Sequence, residues 1–247
     1  MKRNGLSQLL ASILANAIYA MRNFPVMLIN TILAPFGFLT IIFFVSHGRL
    51  LNVAIMGALI MTMVTSGISL QGDLTHLKND IKLQDMLVSS PLTMVRYLGG
   101  MALSELVFSI PDIAILGILA ALFVHISVMS AAVVVIVMLL TFIFSVSLGF
   151  FISTISRDVI EGWAFMGLIS LLLSTLPPVY YPITYIPLPF RYIAYLSPTT
   201  YSAIIAQKSI GFLSIPNTLF YISWAVLIAI SASLLLFAVS RSKWRED

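Results

Sequence analysis

Six stretches of this chain are each long and apolar enough to cross a bilayer as a helix, and they constrain the fold more than any other feature. They run over Phe24–Val45, Asn52–Leu70, Tyr97–Val124, Val128–Ile152, Ile160–Leu176 and Asn217–Ala238. A bilayer core takes about 20 mostly apolar residues per helix, with every backbone polar group satisfied inside the segment. Barrel strands would be about ten residues long and alternate in polarity, and none of these stretches alternates. Hydrophobic residues make up 60% of the 247 and charged residues 9%, against about 25% charged in a soluble domain. A domain of this size keeps about a quarter of its chain surface in water, which is a poor place for that apolar excess. The expected fold is therefore an all-α membrane protein, with residues 1–247 forming a single transmembrane domain.

Orientation follows from the basic residues. With the N-terminus cytoplasmic, Lys2, Arg3, Arg22, Lys78, Lys82, Arg96, Arg157, Arg241, Lys243 and Arg245 lie inside, and Arg49, Arg191 and Lys208 lie outside. Inverting the chain would violate the positive-inside rule. Six spans with both termini cytoplasmic, the last over 216–240 and a tail at 241–247, are consistent with that bias.

Residues 1–23 do not read as a span. Leu6, Leu9, Leu10, Ile13, Leu14, Ala17, Ile18 and Met21 recur at three- and four-residue steps, with Asn4, Gln8, Ser12 and Asn16 opposite. That pattern predicts an amphipathic helix lying in the cytoplasmic interface. A signal peptide is the rival, with Ala15-Asn16-Ala17 as its cleavage site, but polar residues interrupt the apolar run such a peptide needs.

Two connections are long. Inside, 71–96 mixes Asp73, His76, Lys78, Asp80, Lys82 and Asp85 with Ile81, Leu83, Met86 and Leu87, before Ser90-Pro91. It suits either a short amphipathic helix offering one side to a partner or a solvated loop joining two spans. Outside, 177–215 packs Pro177, Pro178, Pro182, Pro187, Pro189 and Pro198 among Tyr180, Tyr181, Tyr185, Tyr192, Tyr195 and Tyr201. Prolines this dense break any continuous helix, yet the apolar content opposes free solvation. Short helices dipping into the outer leaflet, as a re-entrant hairpin acting as cap or gate, satisfy both demands.

The run Val179-Tyr180-Tyr181-Pro182-Ile183-Thr184-Tyr185-Ile186-Pro187, continuing through Arg191 to Leu196-Ser197-Pro198-Thr199-Thr200-Tyr201, resembles the signature of ATP-binding-cassette type-2 permeases. The resemblance takes in the amphipathic N-terminus, the spans, the charged inside segment and the aromatic hairpin. It departs where Pro177-Pro178 replaces the family's Ser-Gly, stiffening the bend, and where Ser197 replaces an asparagine. It implies the membrane subunit of an exporter, in which two permeases, identical or related, pair and each docks a separate ATPase. A coupling helix at about Asp80–Val88 would then present Lys82, Leu83, Asp85, Met86 and Leu87 to that ATPase. Tyr181, Pro182, Pro187, Arg191, Pro198 and Tyr201 would form the outer gate. ATP and magnesium would sit on the ATPase, leaving this chain with no cofactor.

Chemistry of its own is hard to find. The sequence contains no G-x-x-x-x-G-K-[ST] loop to cradle nucleotide phosphates and no H-E-x-x-H or G-x-S-x-G. The histidines, His47, His76 and His125, are far apart, and there is no cysteine. No metal site, catalytic residue or nucleic-acid surface is expected. Glu105 and Asp112 are the surprising residues, seven apart inside the third span and so on one helical face. Intramembrane carboxylates are costly and so invite a functional reading. They can hold helices together through Ser104, Ser109 or neighbouring spans, line a hydrated path for cationic cargo, or relay protons. The first is the commonest use of polar groups in membranes. An ion-coupled carrier or channel using Glu105 and Asp112 is the alternative to the exporter, although no inverted repeat is visible. An intramembrane enzyme would need a partner base or nucleophile near them. Ser145, Gly149 and Ser153 form a small-residue row suited to close packing within the subunit, and Glu161 beside Arg157 and Asp158 reads as an interfacial charge.

Overall fold

A computed structural model describes residues 10–79 and 94–241. Among them every regular element is helical. The first helix, α1, covers 10–23 and includes a π-helical stretch over Leu14–Ile18. It packs on the helix that begins after residue 93. Ala17 is buried while Leu10, Leu14 and Ile18 are exposed, so the apolar face divides between protein and surroundings. Next come α2 (Pro25–Ser46), α3 (Leu51–Asn79), α4 (Met94–Phe108), α5 (Ile110–Phe123), α6 (Val128–Ile155) and α7 (Val159–Thr175). A 3₁₀ turn at Ile183–Tyr185, α8 (Leu188–Ala194) and α9 (Pro198–Ser209) precede the last helix, α10 (Asn217–Arg241).

Three helices meet the length and hydropathy that a span requires, over Leu51–His76, Val128–Ile155 and Asn217–Ala238. The α4–α5 pair, bent by 46° at Ser109, makes a fourth. Pro35–Ser46 of α2 and Val159–Thr175 are shorter apolar helices. The bend lies where Pro111 removes a backbone donor and clashes with the preceding turn.

The bundle is built around α3. Its residues from Val53 to Val64 are all buried, which explains the missing polar face. It touches α2, α4, α5, α6, α7 and α9, and α6 is backed in turn by α10. Close approach is possible because side chains are missing at the crossings. A Cβ on Gly149 of α6 would lie 2.8 Å from the carbonyl oxygen of Gly67, and one on Gly57 would lie 2.5 Å from that of Val179. Ser145, on the row expected to pack closely, also abuts Gly67.

These contacts place the connections along α3. Gly57 meets Val179 and Tyr180 at one end, Gly67 meets α6 mid-way, and Gly72 meets Trp163 towards the other end. The 177–215 segment thus sits at the Gly57 end, and Arg157–Glu161 sits at the opposite one. There Asp158 caps α7 by accepting from Glu161 N at 2.7 Å, while Glu161 Oε2 accepts from Arg157 N at 2.7 Å. That reciprocal cap satisfies orphan donors at the helix start, so Glu161 has a structural task.

Candidate functional site

Two regions carry polar chemistry. The first is the seam between α3 and α4–α5. Ser69 Oγ donates to Glu105 Oε2 at 2.5 Å, tying α3 to α4. Asp73, one turn beyond Ser69, brings a second carboxyl close to Glu105 at the same seam. Ser104 and Ser109 do not serve Glu105; they bond the backbone carbonyls of Gly100 and Leu106.

Asp112 stands apart from this pair. It lies in the first turn of α5 on the buried face it shares with Leu116 and Ala120, and its Oδ1 has no partner among the described residues. Sequence spacing grouped Glu105 with Asp112, whereas the structure groups Glu105 with Ser69 and Asp73. The α3 helix continues to Asn79, so Asp73 belongs to a helix and not to a loop. The four-residue step from Ser69 to Asp73 was the available signal. Further along, the carboxamide of Gln71 is fully buried against Gly162 of α7, with neither end partnered among the described residues.

The second region is the 177–215 segment. Its α9 is a short helix enclosed by protein, wedged against α6, α10 and α3, with Ser202 to Gln207 all buried. The buried hydroxyls and the Gln207 amide nitrogen find partners, as burial demands, while Gln207 Oε1 has none among the described residues. Ser202 and Thr141 of α6 share a 2.7 Å hydroxyl bond. Thr199 donates to Leu173 O at 3.1 Å, and Thr200 to Ala194 O. Gln207 Nε2 reaches Pro178 O and Tyr181 O at 3.2 and 3.3 Å, stitching both ends of the segment together.

The gate residues read from the sequence all fall here. Pro182 opens the 3₁₀ turn, Pro187 caps α8 and Pro198 is the first residue of α9. Arg191 Nη2 donates to Ile186 O at 3.0 Å and to Thr184 O at 3.3 Å, folding the turn onto α8. Tyr201 donates to Tyr195 O at 2.8 Å. Ser197 holds the cap position of α9 but its hydroxyl bonds Thr199 Oγ1 at 2.8 Å instead of a helix N–H. Tyr180 stacks on Phe38 of α2 with centroids 5.2 Å apart. Burial pushes the Tyr180 and Tyr181 phenols up, so both remain neutral hydrogen-bonding groups at physiological pH. Lys82, Leu83, Asp85, Met86 and Leu87 lie outside the described residues.

The described residues thus form a helical bundle centred on α3, closed at one end by a proline- and tyrosine-rich wedge. The family model for ABC-2 type transporters matches residues 7–211. This chain belongs to the ABC-2 type transporter family. It is a multi-pass membrane protein and the permease part of an ABC transporter, a transport subunit and not itself the ATPase. No curated protein sequence matches it. The match spans the α3–α4 carboxyl seam and the whole of the wedge as far as Gly211, so both candidate regions lie within the family domain.

Proposed function

We propose that this ABC-2 chain is the permease subunit of an ATP-driven exporter, working as a pair with a second copy or a related chain. In this reading the six apolar stretches all span the cell membrane, with both termini cytoplasmic. The 177–215 segment is a re-entrant cap in the outer leaflet. The 80–88 stretch is the coupling helix, presenting Lys82, Leu83, Asp85, Met86 and Leu87 to a separate ATPase that carries ATP and magnesium. Translocation then runs between the paired permeases.

The supporting observation is the wedge. A buried helix held by Gln207, Ser202 and Thr199 closes one end of the bundle, the end with the three cations Arg49, Arg191 and Lys208. Among the described residues, Arg22, Lys78, Arg96, Arg157 and Arg241 belong to the opposite end, as a cytoplasmic side requires. A cap outside and a docking segment inside are what a machine driven from the cytoplasm needs.

The test is purification of the tagged full chain in mild detergent with mass spectrometry of its companions. A stoichiometric ATPase is expected, lost when Leu83, Met86 and Leu87 are replaced by Asp while the thermal midpoint holds. A stable chain without ATPase, whose transport in vesicles proceeds without ATP, would overturn the proposal and favour the ion-coupled carrier.

A further inference from the structure

The end of the bundle that carries the wedge has an uncompensated charge. The nine carboxylates of the chain are Asp73, Asp80, Asp85, Glu105, Asp112, Asp158, Glu161, Glu246 and Asp247. None falls in the connections 46–51, 124–128 or 176–217. Of the cations there, Arg191 is engaged by backbone carbonyls. Lys208 bonds Ile215 O at 3.1 Å and Asn217 Oδ1 at 2.8 Å, and lies 4.9 Å from the Phe220 ring centre. The Arg49 guanidinium has no hydrogen bond or ion pair with a described residue and is exposed.

Arg49 lines a cleft of about 490 Å³ with His47, Tyr181, Tyr185, Ile41 and Val45. The volume falls within the range of small-ligand sites, about 300–1,000 Å³. The α2–α3 turn shapes its polar end. His47 takes left-handed dihedrals, φ 49° and ψ 40°, and Gly48 follows at φ 78°. A left-handed histidine is unfavourable, and here it folds the turn tightly enough for His47 and Arg49 both to border the cleft. The other wall is apolar and open to the surroundings: Ile41 is 60% exposed and Val45 78%. A free phosphate would use the cation and leave that wall idle. An acyl chain would cover it.

We infer that this cleft binds an anionic phospholipid, its phosphate at Arg49 and His47 and its chain along Ile41, Ile42 and Val45. Tyr181 and Tyr185 supply hydroxyl donors to the headgroup, and Arg can engage phosphate through two parallel N–H donors. The lipid would lie against the re-entrant segment at Tyr181, where its headgroup could report on or steady that cap. The leaflet it comes from rests on the orientation proposed above; the binding itself does not.

The test uses the full chain in detergent with equimolar phosphatidylglycerol and phosphatidylcholine of matched chains, the retained lipids being weighed by native mass spectrometry without any ATPase. Wild-type protein is expected to retain phosphatidylglycerol over phosphatidylcholine by about fivefold or more, the scale of one arginine at an anionic headgroup. Arg49→Gln should bring that ratio close to one. Arg49→Lys should keep most of it, and Arg157→Gln at the far end should leave it alone. An unchanged ratio in a folded Arg49→Gln protein would overturn the site. Displacement of the lipid by millimolar glycerol 1-phosphate would also overturn it, since the cleft would then be a phosphate site with no need of the chain. Because no ATPase is present, failure of the exporter reading would not disturb this result, nor the reverse.

Discussion

At the residue scale, the two intramembrane carboxyls have different tasks. Glu105 accepts a 2.5 Å bond from Ser69 across the α3–α4 interface, whereas Asp112 is buried with Oδ1 unpartnered. Interhelical hydrogen bonds in bilayers are worth about 0.6 kcal/mol and up to about 1.7. Glu105→Ala and Ser69→Ala should therefore each lower unfolding stability by about 1 kcal/mol in denaturant titration. The double variant should lose less than the sum, because both remove one bond. Strict additivity would mean that the bond contributes nothing. Asp112→Leu removes a buried polar atom that has no partner among the described residues, so stability should hold or rise by about 1 kcal/mol. If the same protein loses transport, the carboxyl is kept for function and against stability. Hydropathy reading found both residues, yet it paired them with each other, because seven-residue spacing describes one helix and says nothing of its neighbour. Ser69 and Asp73, on another helix, complete the cluster.

At the element scale, the helices were legible and their surroundings were not. Run length located every long helix, and the bend of 46° falls beside Pro111. Ser145, Gly149 and Ser153 announced a close crossing, and Gly149 meets Gly67 there. Gly149→Ala should cost about 1–3 kcal/mol through overpacking against α3 backbone. Gly117→Ala on α5, where a Cβ would meet nothing within 4 Å, should gain up to about 1 kcal/mol from helix propensity. Thermal midpoints of the two variants should move in opposite directions, and a shared direction would contradict the crossing. The α9 helix was the harder case. Thr199, Thr200, Ser202 and Gln207 look like loop residues because hydropathy scores a side chain against lipid or water. Thr200 bonds the nearby Ala194, but the partners of Thr199, Ser202 and Gln207 are Leu173, Thr141 and Pro178, far enough along the chain that no local window contains them.

At the scale of the whole molecule, the ladder of contacts along α3 separates the wedge end from the Arg157 end, and the orientation proposed above, with the wedge end outside, is open to test. The chain has no cysteine, so single introduced thiols give a clean readout. His125→Cys should react with an impermeant maleimide on intact cells, and Arg157→Cys only after permeabilisation. Both sites are exposed connections. The reverse pattern would invert the topology and put the wedge in the cytoplasm.

The seat of α9 has a consequence for how the protein is made. Its walls are α6, synthesised before it, and α10, synthesised after it. Between Pro198 and Ser209 the helix is too short to cross the bilayer and too polar to be left in lipid. Its polar partners, Thr141 for Ser202 and Pro178 for Gln207, are already made when it leaves the ribosome, but the apolar cover of Ile205 by Leu227 waits for α10. The closing of the wedge is thus a late step of biogenesis, and a chain stopped short of Asn217 would leave Ile205 and Tyr201 uncovered for the quality-control machinery to find.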